Sequence, residues 1–122
     1  FSSTGGERKR SSRHDRRLLE WARLVEEALS TAILLDTLPR SEIDVFVEVL
    51  NGDGAVLSAA VNAVTLALLE AGIPMRDYVV ACSAAFVTGA TNTGALLDAN
   101  RMEESGAPSV TVAVLARSQR VV

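Results

Sequence analysis

A chain of 122 residues with 48% hydrophobic and 22% charged residues predicts one globular domain and excludes a disordered polypeptide. The net charge is −3, and the single cysteine, Cys82, excludes an internal disulfide, favours a reducing intracellular compartment and is expected to be a buried structural thiol. No apolar run approaches the roughly 18 residues of a membrane span, so no membrane contact is expected.

Residues 1–17 form a basic arm that is rich in glycine and serine. They carry six basic and two acidic side chains, a net charge of +4, whereas the other 105 residues carry six basic and thirteen acidic side chains, a net charge of −7. A basic arm on an acidic body favours electrostatic contact with phosphate groups. A solvated, disordered segment has the same composition, so both interpretations stay open. The basic residues of the arm are Arg8, Lys9, Arg10, Arg13, Arg16 and Arg17.

Two elements are predicted in the first half of the chain. Apolar residues three or four apart, from Asp15 to about Leu35, predict an amphipathic helix with Asp15 as a candidate N-cap. Pro39 closes the connection that follows. The run "IDVFVEVL" at 43–50 alternates with period two and therefore predicts a half-buried strand.

The second half predicts a helix followed by strands. The stretch "AVLSAAVNAVTLALLEAG" is rich in Ala and Leu and ends at Gly72, which predicts a mostly buried helix. Pro74 enforces a break before the strand candidate "DYVVACSAAFV". Further strands are predicted at "ALLDA" and "SVTVAVLA", on either side of the acidic turn "NRMEESGAP". This order predicts a mixed α/β layer arrangement.

Two stretches are candidates for chemistry. In "NGDGAVLSAAVNA", glycines flank Asp53 where the predicted strand gives way to the helix, which is typical of a backbone phosphate cradle but also of a plain turn. Asp98, Glu103 and Glu104 could bind Mg²⁺ or act as a general acid, or they are solvated carboxylates of a turn. His14 is the only histidine, which gives little support to a histidine-based metal site or hydrolytic triad.

Several stretches together resemble the RNase PH family, in particular the RNase PH-like exosome subunit that carries the phosphorolytic site in archaea. They are "STGGERKR" before "DRR", "LPRSEIDVFVEVLNGDG", "AAVNAVTLALLEAGIPMRDYVVACSAAFV" and "LLDANRMEE", and "AGIPMRD" at 71–77 is the most specific. The resemblance implies an α+β, ribosomal protein S5 domain 2-like fold, with a mixed sheet packed against helices. Residues 18–122 would be part of one such domain, incomplete at both ends, behind the arm at 1–17.

The resemblance also changes the interpretation of the glycine-rich turn. In phosphorolytic members this turn carries Gly, then Ser or Thr, then Arg, and these residues hold inorganic phosphate. By this resemblance Ala55, Val56 and Leu57 occupy the three positions. Val56 offers no donor, and Leu57 lacks both the charge and the two-pronged hydrogen bonding of arginine. The stretch is therefore interpreted as a lost phosphate cradle on an intact turn, whose backbone amides still attract an anion weakly.

The same resemblance assigns roles to the arm and to the acidic turn. Asp98 and Glu104 stand at acidic positions of the family's catalytic turn and are interpreted as vestigial catalytic residues, with Asn100 at a polar position. Contacts to the RNA backbone, without sequence readout, are expected from the arm. Its RNA-binding candidates are Arg8, Lys9, Arg10, Arg13, Arg16 and Arg17.

These assignments predict a non-catalytic RNase PH-like ring subunit of a eukaryotic RNA exosome, which would help to form the channel for 3′-to-5′ RNA processing and decay. The expected partners are other RNase PH-like ring subunits, S1/KH cap subunits, a separate nuclease and single-stranded RNA. No cofactor and no metal ion are expected, and the expected location is the nucleus and nucleolus, with some protein in the cytoplasm. Two alternatives stay open: an active phosphate-dependent 3′-to-5′ exoribonuclease subunit that uses Asp98, and a free-standing RNA-binding module.

Overall fold

The computed structural model describes residues 16–88 and 93–122. Its elements in chain order are α1 (Arg16–Ser30), a 3-10 helix (Leu35–Thr37), α2 (Val56–Glu70), β1 (Val79–Thr88), β2 (Thr93–Leu97), α3 (Arg101–Glu104), β3 (Ser109–Leu115) and β4 (Arg120–Val121). The strands form one sheet in the order β2-β1-β3-β4, and all of these pairings are antiparallel. The predicted α+β fold is confirmed. None of the helices in the described ranges is long and apolar enough to cross a membrane.

The core lies between α2 and one face of the sheet. Along the first seven residues of β1, buried side chains alternate with more exposed ones, so that Val79, Ala81 and Ser83 face the helix. On α2 the buried positions recur every three or four residues, as an amphipathic helix requires. The core cluster consists of Leu29, Ala32, Val61, Val64, Leu68, Val79 and Ala81.

The opposite face of the sheet is apolar and exposed. Antiparallel partners share a face, so Val112 lies beside Cys82, while Val110 and Leu97 flank Ala84. Val110, Val112 and Leu97 are all exposed, and Cys82 is exposed as well. The expectation of a buried thiol at Cys82 is therefore wrong, because β1 turns its even-numbered side chains away from α2.

Two polar side chains fix α2 to the edge of β1. Asn62 accepts a hydrogen bond from the Ala81 N–H at 2.8 Å and donates one to the Ala81 carbonyl at 2.9 Å. Thr65 donates to the Val79 carbonyl at 2.9 Å. β2 pairs only with residues 84–88 of β1, so Asn62 supplies Ala81 with the two bonds that a neighbouring strand would otherwise make.

Replacing Asn62 with alanine is expected to lower the free energy of unfolding of the full-length protein by about 1–3 kcal/mol, because it leaves a backbone donor and an acceptor without partners. Thr65→Val keeps the shape of its side chain and removes a single hydroxyl proton, which the Val61 and Val79 carbonyls share, so its expected cost is smaller. Urea denaturation of both variants checks this order. If both variants lost the same free energy of unfolding, the two bonds from Asn62 to Ala81 would contribute no more than the hydroxyl of Thr65.

The stretch "AGIPMRD" joins three parts of the fold. It begins with a Schellman motif at the end of α2, in which Gly72 at φ 71° donates to the Leu69 carbonyl and Ile73 donates to the Leu68 carbonyl. The Arg76 N–H then donates to the Ala32 carbonyl at 2.7 Å. Asp77 accepts bonds from the turn after β3. The most specific stretch of the sequence therefore stabilises the fold.

Asp77 is held by four donors. Burial raises the pKa of this carboxyl, but hydrogen bonds from the backbone N–H groups of Ser118 and Arg117, the Ser118 hydroxyl and the Tyr78 N–H lower it. The net result is a pKa below its ordinary value. A carboxyl whose pKa is lower in the folded state stabilises the fold while it is ionised, and this contribution disappears as the pH falls through the folded-state pKa.

Asp77→Asn is therefore expected to destabilise the full-length protein near neutral pH, and the difference from the wild type should shrink as the pH falls below the ordinary carboxyl range. Urea denaturation across a series of acidic pH values measures this. Asp36→Asn, at an exposed carboxylate in the 3-10 helix, is the control for lost charge. A difference between wild type and Asp77→Asn that does not depend on pH would contradict the assignment.

The first helix ends earlier than the sequence predicts. α1 stops at Ser30 instead of near Leu35, and Asp15, the predicted N-cap, lies outside the described residues. The hydroxyls of Ser30 and Thr31 donate to the carbonyls of the last helical turn. Beyond that point the backbone pairs with "AGIPMRD", where the Leu34 N–H donates to the Pro74 carbonyl at 3.0 Å. These tertiary bonds replace further helical turns.

The strand predicted at 43–50 does not form among the described residues. The segment pairs with no strand there, and Phe46 and Leu50 are 92% and 78% exposed. Period-two alternation indicates which side chains share a face, but a strand also requires a partner to satisfy its backbone. The acidic turn, in contrast, contains the short helix α3.

Candidate functional site

The candidate site begins at the turn before α2. Gly54 has φ 102°, and Ala55 is the N-cap of α2 in the left-handed region, at φ 47° and ψ 27°. Ala55 has no side-chain acceptor, so no side chain of this residue caps the first amides of α2. The side chains of Val56 and Leu57 offer no hydrogen-bond donor. Any anion at this turn would therefore be held by backbone amides and the helix dipole.

This turn lies directly against the backbone of the acidic turn. A Cβ atom on Gly54 would stand 2.3 Å from the carbonyl oxygen of Ala99 and 3.1 Å from the nitrogen of Arg101. Glycine is required at position 54 for two reasons, the positive φ and the close approach of this backbone. The two stretches that the sequence indicated separately, 51–57 and 98–104, thus form one surface, which we call the turn site.

The carboxylates of the turn site have different roles. Asp98 follows β2 at φ 54°, its N–H donates to the Ser83 carbonyl at 2.9 Å, and its side chain is exposed. Glu103 forms a capping box with Asn100 and accepts a bond from the Asn100 N–H at 2.9 Å. Glu104 is half-buried and accepts a bond from the Ser109 hydroxyl at 3.3 Å. Of the three carboxylates of the acidic turn, Asp98 is therefore the one held neither by the α3 cap nor by Ser109, and Asp53 on the facing turn is exposed as well.

Sequence reasoning did not single out Arg101. It begins α3, is exposed and stands in the segment that contacts Gly54. A basic residue within an acidic turn is the only signal in the sequence. In the described parts of the chain, no three His, Cys, Asp or Glu side chains come together as a possible metal site.

The basic arm is only partly described. Arg8, Lys9, Arg10 and Arg13 lie outside the described residues. Arg16 and Arg17 are exposed in the first turn of α1, and the Arg17 guanidinium lies 4.7 Å from the centre of the Trp21 ring. The contact with Trp21, four residues further along α1, gives Arg17 a structural role in this helix.

Comparison with known proteins shows which family this chain belongs to. The family model of the RNase PH, or 3′ exoribonuclease, family, domain 1, matches residues 2–74. This chain belongs to the RNase PH family. The resemblance found in the sequence is confirmed.

RNase PH relatives cover almost the whole chain. Over 117 residues the chain is 46% identical to the exosome complex component RRP41 of Homo sapiens. The matched region covers 95% of this chain and 46% of that protein. It is 42% identical to the RRP41 homolog of Arabidopsis thaliana, with 98% of this chain and 47% of that protein matched. It is 40% identical to Rrp41 of Thermoplasma volcanium, with 95% of this chain and 45% of that protein matched. The chain spans about half the length of the curated relatives that it matches.

A solved structure supports the fold. The crystal structure of rice (Oryza sativa) Rrp46 matches with a TM-score of 0.78 and 24% identity, over 90% of this chain and 51% of that one. At this identity the match establishes the fold alone. It agrees with the RNase PH family assignment made from the sequence.

The prediction that the chain is a catalytically inactive member is wrong. The family that matches is described as a 3′ exoribonuclease family, and the relatives include the exosome complex component Rrp41 of two Thermoplasma species. The physical reason is that side chains without donors at 56 and 57 do not by themselves remove an anion site, because backbone N–H groups at the start of a helix also donate to anions. The start of α2 lies in the turn site.

Proposed function

We propose that this chain is part of an RNase PH-type ring subunit of an RNA exosome, of the RRP41 kind, that acts in 3′-to-5′ RNA processing and decay. Two things support the proposal: RRP41 relatives at 40–46% identity over at least 95% of the chain, and the contact of Gly54 with Ala99 and Arg101 that builds the turn site. This contact is the main structural support for the proposal. It places the turn before α2, whose backbone amides attract anions, beside the acidic turn that contains Asp98.

The proposed partners are other RNase PH-like ring subunits, S1/KH cap subunits, a separate nuclease and single-stranded RNA. The exposed apolar face of the sheet, with Val110, Val112 and Leu97, supports assembly, since apolar surface of this kind is usually covered in a complex. The acidic body leaves the basic arm as the natural contact for RNA, along the proposed channel. The proposed location is the nucleus and nucleolus, with some protein in the cytoplasm.

A second candidate function is phosphate-dependent 3′-to-5′ exoribonuclease activity within that ring. The turn site favours it, because the turn that leads into α2 touches the backbone that directly follows Asp98. In this reaction an oxygen of inorganic phosphate attacks the phosphorus of the last phosphodiester. The bond to the 3′ oxygen of the preceding nucleotide breaks, and a nucleoside diphosphate leaves. Asp98 would supply the proton that this 3′ oxygen requires.

The role of the arm gives a direct test of RNA binding. Changing Arg8, Lys9, Arg10 and Arg16 to alanine in the assembled ring is expected to weaken RNA binding similarly for all sequences. The slope of log affinity against log salt should shrink by about 0.7 for each phosphate of a single strand that the arm no longer neutralises. Arg40→Ala, outside the arm, is the control and should leave the slope unchanged. A slope that the arm variant does not alter would leave the arm without a role in RNA binding.

A further inference from the structure

The turn that leads into α2 contains a chemically labile Asn–Gly pair. Asn51 is followed by Gly52, and none of the other asparagines of the chain is followed by glycine. The pair lies between the segment 43–50 and α2, outside any helix or strand of the described residues. Such a pair can rearrange when the backbone nitrogen reaches the side-chain amide carbon. A following glycine offers the least steric resistance to that approach, because it has no Cβ.

Asn62 and Asn100 show how an asparagine of this protein is protected. Asn62 exchanges two hydrogen bonds with the backbone of Ala81, at 2.8 and 2.9 Å, from within α2. The side-chain oxygen of Asn100 accepts the N–H groups of Met102 and Glu103, both at 2.9 Å, in the capping box of α3. Each of the two asparagines is also followed by a residue with a side chain. Neither amide can react before these hydrogen bonds break.

The backbone around the Asn–Gly pair has little room to move. Gly54 lies so close to the acidic turn that a Cβ on it would stand 2.3 Å from the Ala99 carbonyl oxygen. A Cβ on Gly52 would stand 3.1 Å from Cγ2 of Val56, the first residue of α2. An extra backbone atom at 51–52 must therefore displace the turn against α2 or against the acidic turn.

We propose that Asn51 is a site of spontaneous modification, which converts it to aspartate and isoaspartate and loosens the turn site as the protein ages. The Gly52 nitrogen attacks the side-chain amide carbon of Asn51, and the amide nitrogen leaves as ammonia together with the Gly52 proton. Water then opens the cyclic imide at either carbonyl. One product is aspartate. The other is isoaspartate, in which the main chain runs through an additional carbon atom.

The test holds the full-length protein at mildly alkaline pH for several weeks and follows each asparagine by mass spectrometry of its peptide. Asn51 is expected to convert at least about tenfold faster than Asn62 and Asn100, which must first release their hydrogen bonds. Gly52→Ala should slow the reaction at least about fivefold, because a Cβ removes backbone conformations that glycine allows. Asn51→Gln has a longer side chain that does not form this imide readily, and it is the unreactive control.

Urea denaturation of the aged protein separates the effect of charge from that of the backbone. The aged wild type should unfold at a lower urea concentration than the fresh protein, whereas aged Asn51→Gln should keep its midpoint. Asn51→Asp carries the new charge without the extra backbone atom, so it should lose less stability than the isoaspartate form. Two results would overturn the proposal: conversion of Asn51 no faster than that of Asn100, or a converted wild type whose urea midpoint is unchanged.

Discussion

Gly54→Ala is expected to lower the stability of the full-length protein by about 3 kcal/mol or more, because one methyl group meets two separate obstacles. The new Cβ would lie 2.3 Å from the Ala99 carbonyl oxygen, a backbone atom that no side-chain rotation can move. The position also has φ 102°, a conformation that residues with a side chain adopt only under strain. The turn and the segment 99–101 must then separate, and the turn site opens.

Gly72→Ala is the matched control for this effect. Gly72 also has a positive φ, 71°, but a Cβ at this position would meet nothing within 4 Å. Its expected cost is about 1 kcal/mol, from backbone strain alone. Urea denaturation of the two variants separates strain from collision, and RNA binding by the assembled ring reports on the site. If both variants lost the same stability, the close approach of the two turns would not be rigid.

Restoring the family's phosphate-binding groups is expected to strengthen phosphate binding strongly. In the assembled ring, Ala55→Gly/Val56→Ser/Leu57→Arg adds a hydroxyl and a guanidinium at the start of α2. A hydrogen bond to a charged group contributes about 1.5–3 kcal/mol, so the affinity for inorganic phosphate should rise about tenfold to 100-fold. The glycine should fit well, since Ala55 already has φ 47°.

Leu66→Arg is the control for this variant. It adds a positive charge to an exposed position of the same helix, away from the turn. Phosphate affinity, measured by isothermal titration calorimetry, should stay near the wild-type value in this control. A correctly folded triple variant that binds phosphate no better than Leu66→Arg would show that the turn does not present these groups to an anion.

Much of the fold could be predicted from local patterns. Three- to four-residue spacing indicated α1, an Ala- and Leu-rich run ending at Gly72 indicated α2, and the β-branched run "DYVVACSAAFV" indicated β1. These predictions succeeded because each helix or strand packs one face against a neighbouring element, so that its buried residues recur at the period of that element. The segment 43–50 shows the limit, since its alternation resembles that of a strand while its strand partner is set by residues far away in the chain.

The candidate site was predicted as two pieces and not as one. Nothing local to Gly54 indicates that Ala99 lies 2.3 Å from the position of a missing Cβ, because the contact depends on how β1 and β2 place the acidic turn. Asn100 and Glu103 were treated as possible chemistry, yet they form the cap of α3. Asp77 and Asn62, which hold the backbone together, carried no chemical signal at all in the sequence.

The proposed ring subunit is tested most directly by purifying the full-length protein from its own cells under mild conditions and identifying the proteins that accompany it. Native mass spectrometry then gives the mass and stoichiometry of the assembly. We expect a ring of six related RNase PH-type subunits that contains one or more copies of this protein, with RNA-binding cap subunits attached. A monomer, or an assembly without other RNase PH-type chains, would contradict the account.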